Sequence, residues 1–402
     1  MREPHAYRRY VMVFVALAAT VLLPVVALNY LLGLRSLGGA DVVQQASRWQ
    51  QATHGVTYAP PLSANRPFKS ARLFDRLPEI NAVVFGSSTM MGVTQAMFPD
   101  GIAIYNFSQT GNELPMALGE AEYLQEKHAA QLKLAVVPLD WALGFIYHAP
   151  AAPGQITVAP PEADAPAQRT KVSVADQLQD ALSLPRVKNL FGIIGQIARA
   201  PAPAGAFRAM FLQDAGEDYR CADGLPARDF DTIFRGSCTG FRYDGSATFA
   251  NLDPVAPRRV DALIASAVVP SSKYAVDLIK SDGLPNPLLL ERLAQLAGKL
   301  RQAGGRLLLI LPPLLPGMER AFLDAPQTAV QLARTKQQLA QWARETNVQI
   351  IDAGQSERYG CTAPEFVDEH HALPACYARI FERFWKAGGN STKLAAGLYA
   401  PD

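Results

Sequence analysis

The stretch that most narrows the fold is Asn81 to Gly92, Asn-Ala-Val-Val-Phe-Gly-Ser-Ser-Thr-Met-Met-Gly. Its apolar run, Ala82 to Phe85, stops at Gly86 and is followed at once by three hydroxyl residues, Ser87, Ser88 and Thr89. A short unbroken apolar run closed by a small-residue turn is how a strand buried on both faces ends, and such strands belong to helix-covered parallel sheets. The turn after such a strand normally feeds a helix. Ser88 is then expected near a helix N-terminus, where unpaired backbone N–H groups face bound anions, and is a candidate nucleophile. The competing reading is that Ser87 and Ser88 only cap that helix, as serine usually does there.

The same alternation continues downstream. Ile102 to Phe107 and Leu132 to Val137 read as second and third strands, and Glu113 to His128 as a helix on the spacing of Met116, Leu118, Tyr123 and Leu124. Strand, helix, strand begins a parallel sheet. The pattern then lapses: Ala149 to Ala167 is Pro- and Ala-rich and suits an exposed linker, while Val174 to Leu182 and Arg186 to Arg199 read as helices. Phe241-Arg242-Tyr243-Asp244-Gly245-Ser246 suits a hairpin with an Asp-Gly turn. Residues 145–284 are thus expected to form an insertion over the open end of the sheet, a lid in which Arg242 and Tyr243 are candidate polar contacts. The alternation resumes with Pro285 to Ala303 as a helix, Arg306 to Leu311 as a strand, Thr328 to Glu345 as a helix and Val348 to Asp352 as a strand. Pro374 opens a last helix. With 402 residues, 49% of them hydrophobic, there is ample material for one large core or two modest ones.

A basic head, Arg2, Arg8 and Arg9, precedes an apolar run from Val11 to Leu28 that only Thr20 interrupts, continuing less purely to Leu34. Such a run is long enough to span a bilayer; a cleavable signal peptide, the alternative, usually has a shorter apolar region and a small-residue cleavage site. Residues 10–34 are therefore expected to be an uncleaved transmembrane helix, with 35–80 a stalk and lead-in. With only Arg35 close behind the span, the positive-inside rule puts the N-terminus in the cytoplasm and the bulk of the chain outside. Of 38 Lys and Arg, four lie in the first 35 residues, and of 36 Asp and Glu only Glu3 does, which leaves the rest within one charge of neutral. A neutral domain is not a nucleic-acid binder by electrostatics.

The four cysteines fall as two close pairs, Cys221 with Cys238 and Cys361 with Cys376. Three pairings are open; two local disulfides in an oxidising compartment is the simplest. Zinc is the rival use, but no Cys-x-x-Cys spacing occurs. The second pair encloses Phe366-Val367-Asp368-Glu369-His370-His371-Ala372-Leu373-Pro374. An Asp three residues before a His, in a turn leading into a helix, can orient and charge-stabilise an imidazole that serves a serine as base. Asp368 with His370 is a second possible pair, leaving Glu369 as a surface neighbour; Asp368, His370 and His371 together make a weak metal set because adjacent side chains diverge. The Gly-x-Ser-x-Gly layout is excluded because position 90 is Met.

Gly86-Ser87-Ser88 and Asp368 with His371 together resemble the SGNH (GDSL-like) hydrolase superfamily, in which a Gly-x-Ser block follows the first strand and an Asp-x-x-His block lies near the C-terminus. His371, followed by Pro374 and a helix start, is the better match to the family histidine, and His370 is then a surface neighbour like Glu369. The resemblance implies an SGNH/flavodoxin-like three-layer sandwich with about five parallel strands, whose site lies at the carboxyl end of the sheet. It assigns Ser88 as nucleophile, His371 as base, Asp368 as its orienting acid, and the N–H groups of Ser88 and Gly111 as the oxyanion hole, Gly111 lying in the block Asn106 to Gly111 after the second strand. No cofactor is implied. The family's Asn after the third strand is replaced by Asp140, which cannot donate to an oxyanion when ionised, and Ser stands at 87 where Asp is usual. These departures look like the membrane-anchored branch that includes the D-alanyl transfer and alginate O-acetylation proteins. That branch implies a single-pass inner-membrane protein with its C-terminal domain in the periplasm, transferring or hydrolysing acyl groups on a cell-surface polysaccharide or envelope polymer, with a multispanning membrane acyltransferase as possible partner. Asp140 keeps a second reading open: a non-catalytic scaffold of the same fold that binds a glycan or that acyltransferase.

The Val11 to Leu34 run makes the first prediction. The protein should stay in the membrane fraction after carbonate washing with its N-terminus intact; recovery of a soluble form lacking roughly the first 40 residues would mean a cleaved signal peptide.

Overall fold

This computed structural model describes residues 3–35, 47–48, 50–52, 54, 57–58, 62–140, 195, 198–199, 240–248, 253–389 and 396–401. The Cys221 and Cys238 pairing, the segment from Ala149 to Ala167, the helix expected over 174–182 and most of that expected over 186–199 lie outside them.

In chain order the elements are α1 (Glu3–Arg35), β1 (Thr57–Tyr58), α2 (Leu62–Arg76), β2 (Ala82–Val84), β3 (Ile104–Asn106), α3 (Leu114–His128), β4 (Leu134–Pro138) and β5 (Gly240–Phe241). They continue with α4 (Val260–Ala267), α5 (Lys273–Lys280), α6 (Pro287–Gln302), β6 (Arg306–Leu311), α7 (Met318–Asp324), α8 (Ala329–Thr346), β7 (Gln349–Asp352), α9 (Pro374–Lys386) and β8 (Gly397–Tyr399). Helix α1 is long and apolar enough to cross a membrane over Tyr7–Pro24, and protein covers none of that window.

Six strands form one sheet in the order β3-β2-β4-β6-β7-β8, every neighbouring pair parallel. The residues of β2, β3 and β4 are all buried, as expected of apolar runs covered on both faces. The sixth strand, β8, joins the far edge beyond the five that the sequence signals. It carries no apolar run and is held by register with Gln349, Ile350 and Ile351 of β7. Because β2 lies between β3 and β4, the strand order reverses direction there, and open α/β sheets bind ligands outside the carboxyl ends of strands at such a switch point.

Helix α3 packs on β4 and α6, α6 on β6, and α8 on β7 and β8. The last part of the segment read as an insertion, 253–284, joins this core through Val255, Ala267, Tyr274, Ala275 and Leu278. The stretch read as stalk and lead-in contains α2, whose Lys69 and Arg72 are fully buried. Lys69 Nζ donates to the carbonyls of Asn106 (2.9 Å) and Gly245 (2.6 Å), and burial, opposed by the charge of Asp244, pulls its pKa down to about 7. Arg76 lies 3.9 Å from the Tyr243 ring, and the Tyr243 hydroxyl donates to Glu79. Arg242 caps its own turn by donating to the Ala247 carbonyl (2.6 Å). The Asp-Gly hairpin reading of 241–246 therefore holds, and both side chains are engaged in structure.

Gly86 sets how the serine turn leaves β2. Its φ is +117°, and a Cβ there would stand 2.3 Å from Cγ of Pro138 at the end of β4. Both the left-handed backbone and the rigid ring demand glycine. Gly86→Ala should therefore lower the unfolding free energy of the detergent-solubilised protein by more than about 2 kcal/mol in urea, with an unchanged m-value. A loss under about 0.5 kcal/mol would mean that β2 and β4 separate without cost.

Candidate active site

The turn after β2 is a short 3₁₀ segment, Ser88–Gly92, rather than the α-helix expected from the sequence. Its internal bonds run to amides three residues on, as from the Val93 amide to Met90 O (3.1 Å), and several of its carbonyls also take donors from elsewhere in the chain. The Tyr377 hydroxyl of α9 donates to Thr89 O (2.6 Å), Asn106 Nδ2 to Met90 O (2.8 Å) and Val93 O (2.8 Å), and the Ala247 amide to Met91 O (2.9 Å). Val93 is already extended, so no further turn can form. The two serines divide the roles that the sequence left in competition: Ser87 is the cap, its Oγ accepting from the Thr89 amide at 3.2 Å, whereas Ser88 is half-buried and points its hydroxyl at a histidine.

That histidine is His371. Ser88 Oγ lies 2.8 Å from His371 Nε2, and His371 Nδ1 lies 2.6 Å from Asp368 Oδ2. A carboxylate facing Nδ1 fixes the proton there and leaves Nε2 with a lone pair directed at the serine hydroxyl. Asp368 is held by more than its partner ring, since its Oδ1 accepts from the amides of His370 (2.9 Å) and His371 (2.8 Å). Burial pushes the Asp368 carboxyl up, but the His371 hydrogen bond and the charges of His370 and His371 outweigh it and hold the group well below the usual carboxylate range.

The loop carrying the dyad folds back on itself: the Val367 amide donates to His371 O (3.0 Å), and Leu315 after β6 donates to Glu369 O (2.9 Å). A disulfide joins Cys361 to Cys376 across the base of this loop, the pairing expected from spacing. Closing a loop of this length stabilises a fold by about 3 kcal/mol on the chain-entropy account. The loop meets the serine turn at Gly92, where a Cβ would come 2.9 Å from the Ala372 carbonyl.

His370 is not the surface neighbour that its position suggests. Its side chain is 15% exposed, its ring lies tilted against that of His371 at 4.1 Å between centroids, and its Nδ1 lies 2.7 Å from the Tyr274 hydroxyl. Burial, reinforced by His371, lowers its pKa to about 3, so it is neutral at neutral pH. Asp368, His370 and His371 bring ligand atoms within 4.8 Å of one another. A cation there would compete for the nitrogen atoms already committed to Ser88 and Asp368.

Gly111 lies in the turn between β3 and α3, its φ +67° and the space in front of it open. The Gln109 amide donates to Gly86 O (2.8 Å), which ties this turn to the residue two places before Ser88. Among the described residues no acceptor takes the amides of Ser88 or Gly111. Asp140, at the end of β4, is buried and accepts from Ser87 Oγ at 3.2 Å. Asn106, Tyr377 and Tyr274 were not singled out from the sequence. For Asn106 the available signal was an amide ending an apolar strand; for the tyrosines there was none.

Comparison with protein-family models, curated proteins and solved structures returned no match, so the site is read from its own geometry.

Because the folded pKa of Asp368 is depressed, its stabilising contribution is fully present above the unfolded carboxylate value near 4 and is lost as pH falls through the lower folded value. Melting temperatures between about pH 5 and pH 2 should therefore fall less steeply in Asp368→Asn than in the parent. Parallel curves would mean that the carboxylate gains nothing on folding.

Proposed function

We propose that this protein is a membrane-anchored acyl-serine enzyme of the SGNH type, an O-acyltransferase or esterase acting outside the cytoplasmic membrane on a cell-surface polysaccharide or envelope polymer. The observation that carries the reading is the continuous chain from Ser88 Oγ through His371 to Asp368, at 2.8 and 2.6 Å, beside the sheet's switch point. In this mechanism His371 Nε2 takes the Ser88 proton as Oγ attacks an ester carbonyl. The amides of Ser88 and Gly111 stabilise the tetrahedral oxyanion, and the His371 imidazolium returns the proton to the departing alkoxide. An acceptor hydroxyl, or water, then attacks the acyl-serine with His371 again as base. The membrane assignment is supported by α1, the compartment by the Cys361–Cys376 disulfide, and the polymer substrate and a multispanning acyltransferase partner by family resemblance alone.

The second reading, a non-catalytic scaffold binding a glycan or that partner, is favoured by Asp140, an acid where the family places an oxyanion donor. Losing one such donor typically costs on the order of 3 kcal/mol of transition-state stabilisation, which slows hydrolysis without abolishing acyl transfer.

The full-length protein in detergent should release p-nitrophenol from the acetyl ester and be labelled on Ser88 by a fluorophosphonate. Ser88→Ala and His371→Ala should each remove nearly all turnover, and the double variant should lose no more, because the groups act as a unit. Ser87→Ala, which removes a cap rather than the nucleophile, should lower the rate less than about tenfold. A folded parent with neither turnover nor labelling favours the scaffold. A rate that rises with an added oligosaccharide, with acylated sugar as product, favours transfer over hydrolysis.

A further inference from the structure

The turn that carries Gly111 is held by a polar cluster that the acyl-serine chemistry itself does not use. Glu120, on α3, is 4% exposed and accepts from Arg66 Nη1 at 2.6 Å, Asn112 Nδ2 at 3.0 Å and Gln109 Nε2 at 3.3 Å. Arg66 Nη2 closes the ring by donating to Asn112 Oδ1 at 2.9 Å. Two of these partners, Gln109 and Asn112, bracket Gly111, and the Gln109 amide also reaches Gly86 O. The arrangement is costly. Burial raises the Glu120 carboxyl to about pKa 7 against the opposing charge of Arg66, and Gln109 Oε1 is buried without a partner among the described residues. A buried acceptor left unmade typically costs 1–3 kcal/mol, so the fold holds Gln109 in this orientation at the expense of its own oxygen. Nothing in the packing of α3 requires an acid here, since its neighbours Ala117, Leu118, Ala121 and Leu124 already fill the core.

We infer that Glu120, acting with Arg66 and Asn112, is a positioning residue that presets the Gly111 turn so that its free amide faces the oxyanion formed on the Ser88 acyl group. This rests on the acyl-serine reading above. It also gives α2 a role at the site, because Arg66 belongs to the helix that follows the membrane-proximal segment. With an acid at 140 where the resemblance implies an amide donor, the oxyanion rests on the backbone amides, and drift of the Gly111 turn is felt in the rate.

The test uses the full-length protein in detergent, p-nitrophenyl acetate turnover, and amide hydrogen exchange of the peptide spanning 107–114. Glu120→Ala should lower kcat by roughly 10- to 100-fold with KM within about twofold, and should speed exchange of that peptide. Glu120→Gln, which keeps one acceptor oxygen for Arg66 and Gln109 but sets an amide NH2 against Asn112 Nδ2, should give a kcat between alanine and the parent. Glu122→Ala, two residues along α3 and paired to Arg292 at 2.6 Å, should behave as the parent. If Glu120→Ala has no melting transition, Asn112→Ala takes its place, with at least a fivefold loss of kcat expected on the same scale. The inference is overturned by kcat within about twofold in the folded alanine variant, by a loss confined to KM, or by a glutamine variant as slow as alanine with exchange unchanged. Turnover that is lost in Ser88→Ala but intact in Glu120→Ala sinks only the positioning role. Turnover that is absent from the parent, or that survives Ser88→Ala, sinks the acyl-serine reading and this role with it.

Discussion

The site depends on how the five-residue turn after β2 satisfies its backbone. The turn's own bonds run three residues on, as from the Val93 amide to Met90 O. Tyr377, Asn106 and the Ala247 amide add donors to Thr89, Met90 and Met91, each from a different part of the chain. Docking of α9, the end of β3 and the 240–248 hairpin thus fixes the turn in place. The same contacts aim Ser88. Tyr377 lies on the helix that begins three residues after His371, so the bond that pins the serine turn also sets its distance from His371.

The residue before Ser88 is tied to the end of β4, for the Ser87 hydroxyl donates to Asp140 Oδ2 at 3.2 Å. Tyr274 and Tyr377 both have hydroxyls raised well above the ordinary tyrosine range, first by burial and further by Asp140 among other charges, so they remain donors across the neutral range.

Most of the sheet was legible because buried parallel strands write themselves as apolar runs: the runs at 82–85, 132–137, 306–311 and 348–352 became β2, β4, β6 and β7 within a residue or two. The meeting of Ser88, Asp368 and His371 was legible for another reason, since that combination of residue types is the one an acyl-serine site would need. What escaped were elements whose stability is not apolar. Strand β8 is three residues long, pairs with β7 and packs on α8, and carries no apolar run to announce it. Helix α2 inverts the usual amphipathic rule: Lys69, Arg72 and Arg76 recur at helical spacing on its inward face, where composition reads a solvated stalk. These cations are buried against carbonyls and the Tyr243 ring supplied by a hairpin distant in sequence, and no local pattern announces such partners. His370 escaped likewise, because the Tyr274 that covers it comes from a helix 96 positions earlier.

Ser88 and His371 are separated by 283 positions. During synthesis Ser88 therefore emerges long before His371, and until that loop has followed its hydroxyl has no imidazole beside it. The disulfide adds a second condition, for the loop bearing Asp368 and His371 is tied at its base only once Cys361 and Cys376 have been oxidised. A chain that is incomplete, or reduced at Cys361 and Cys376, lacks the tie that holds Asp368 and His371 against Ser88.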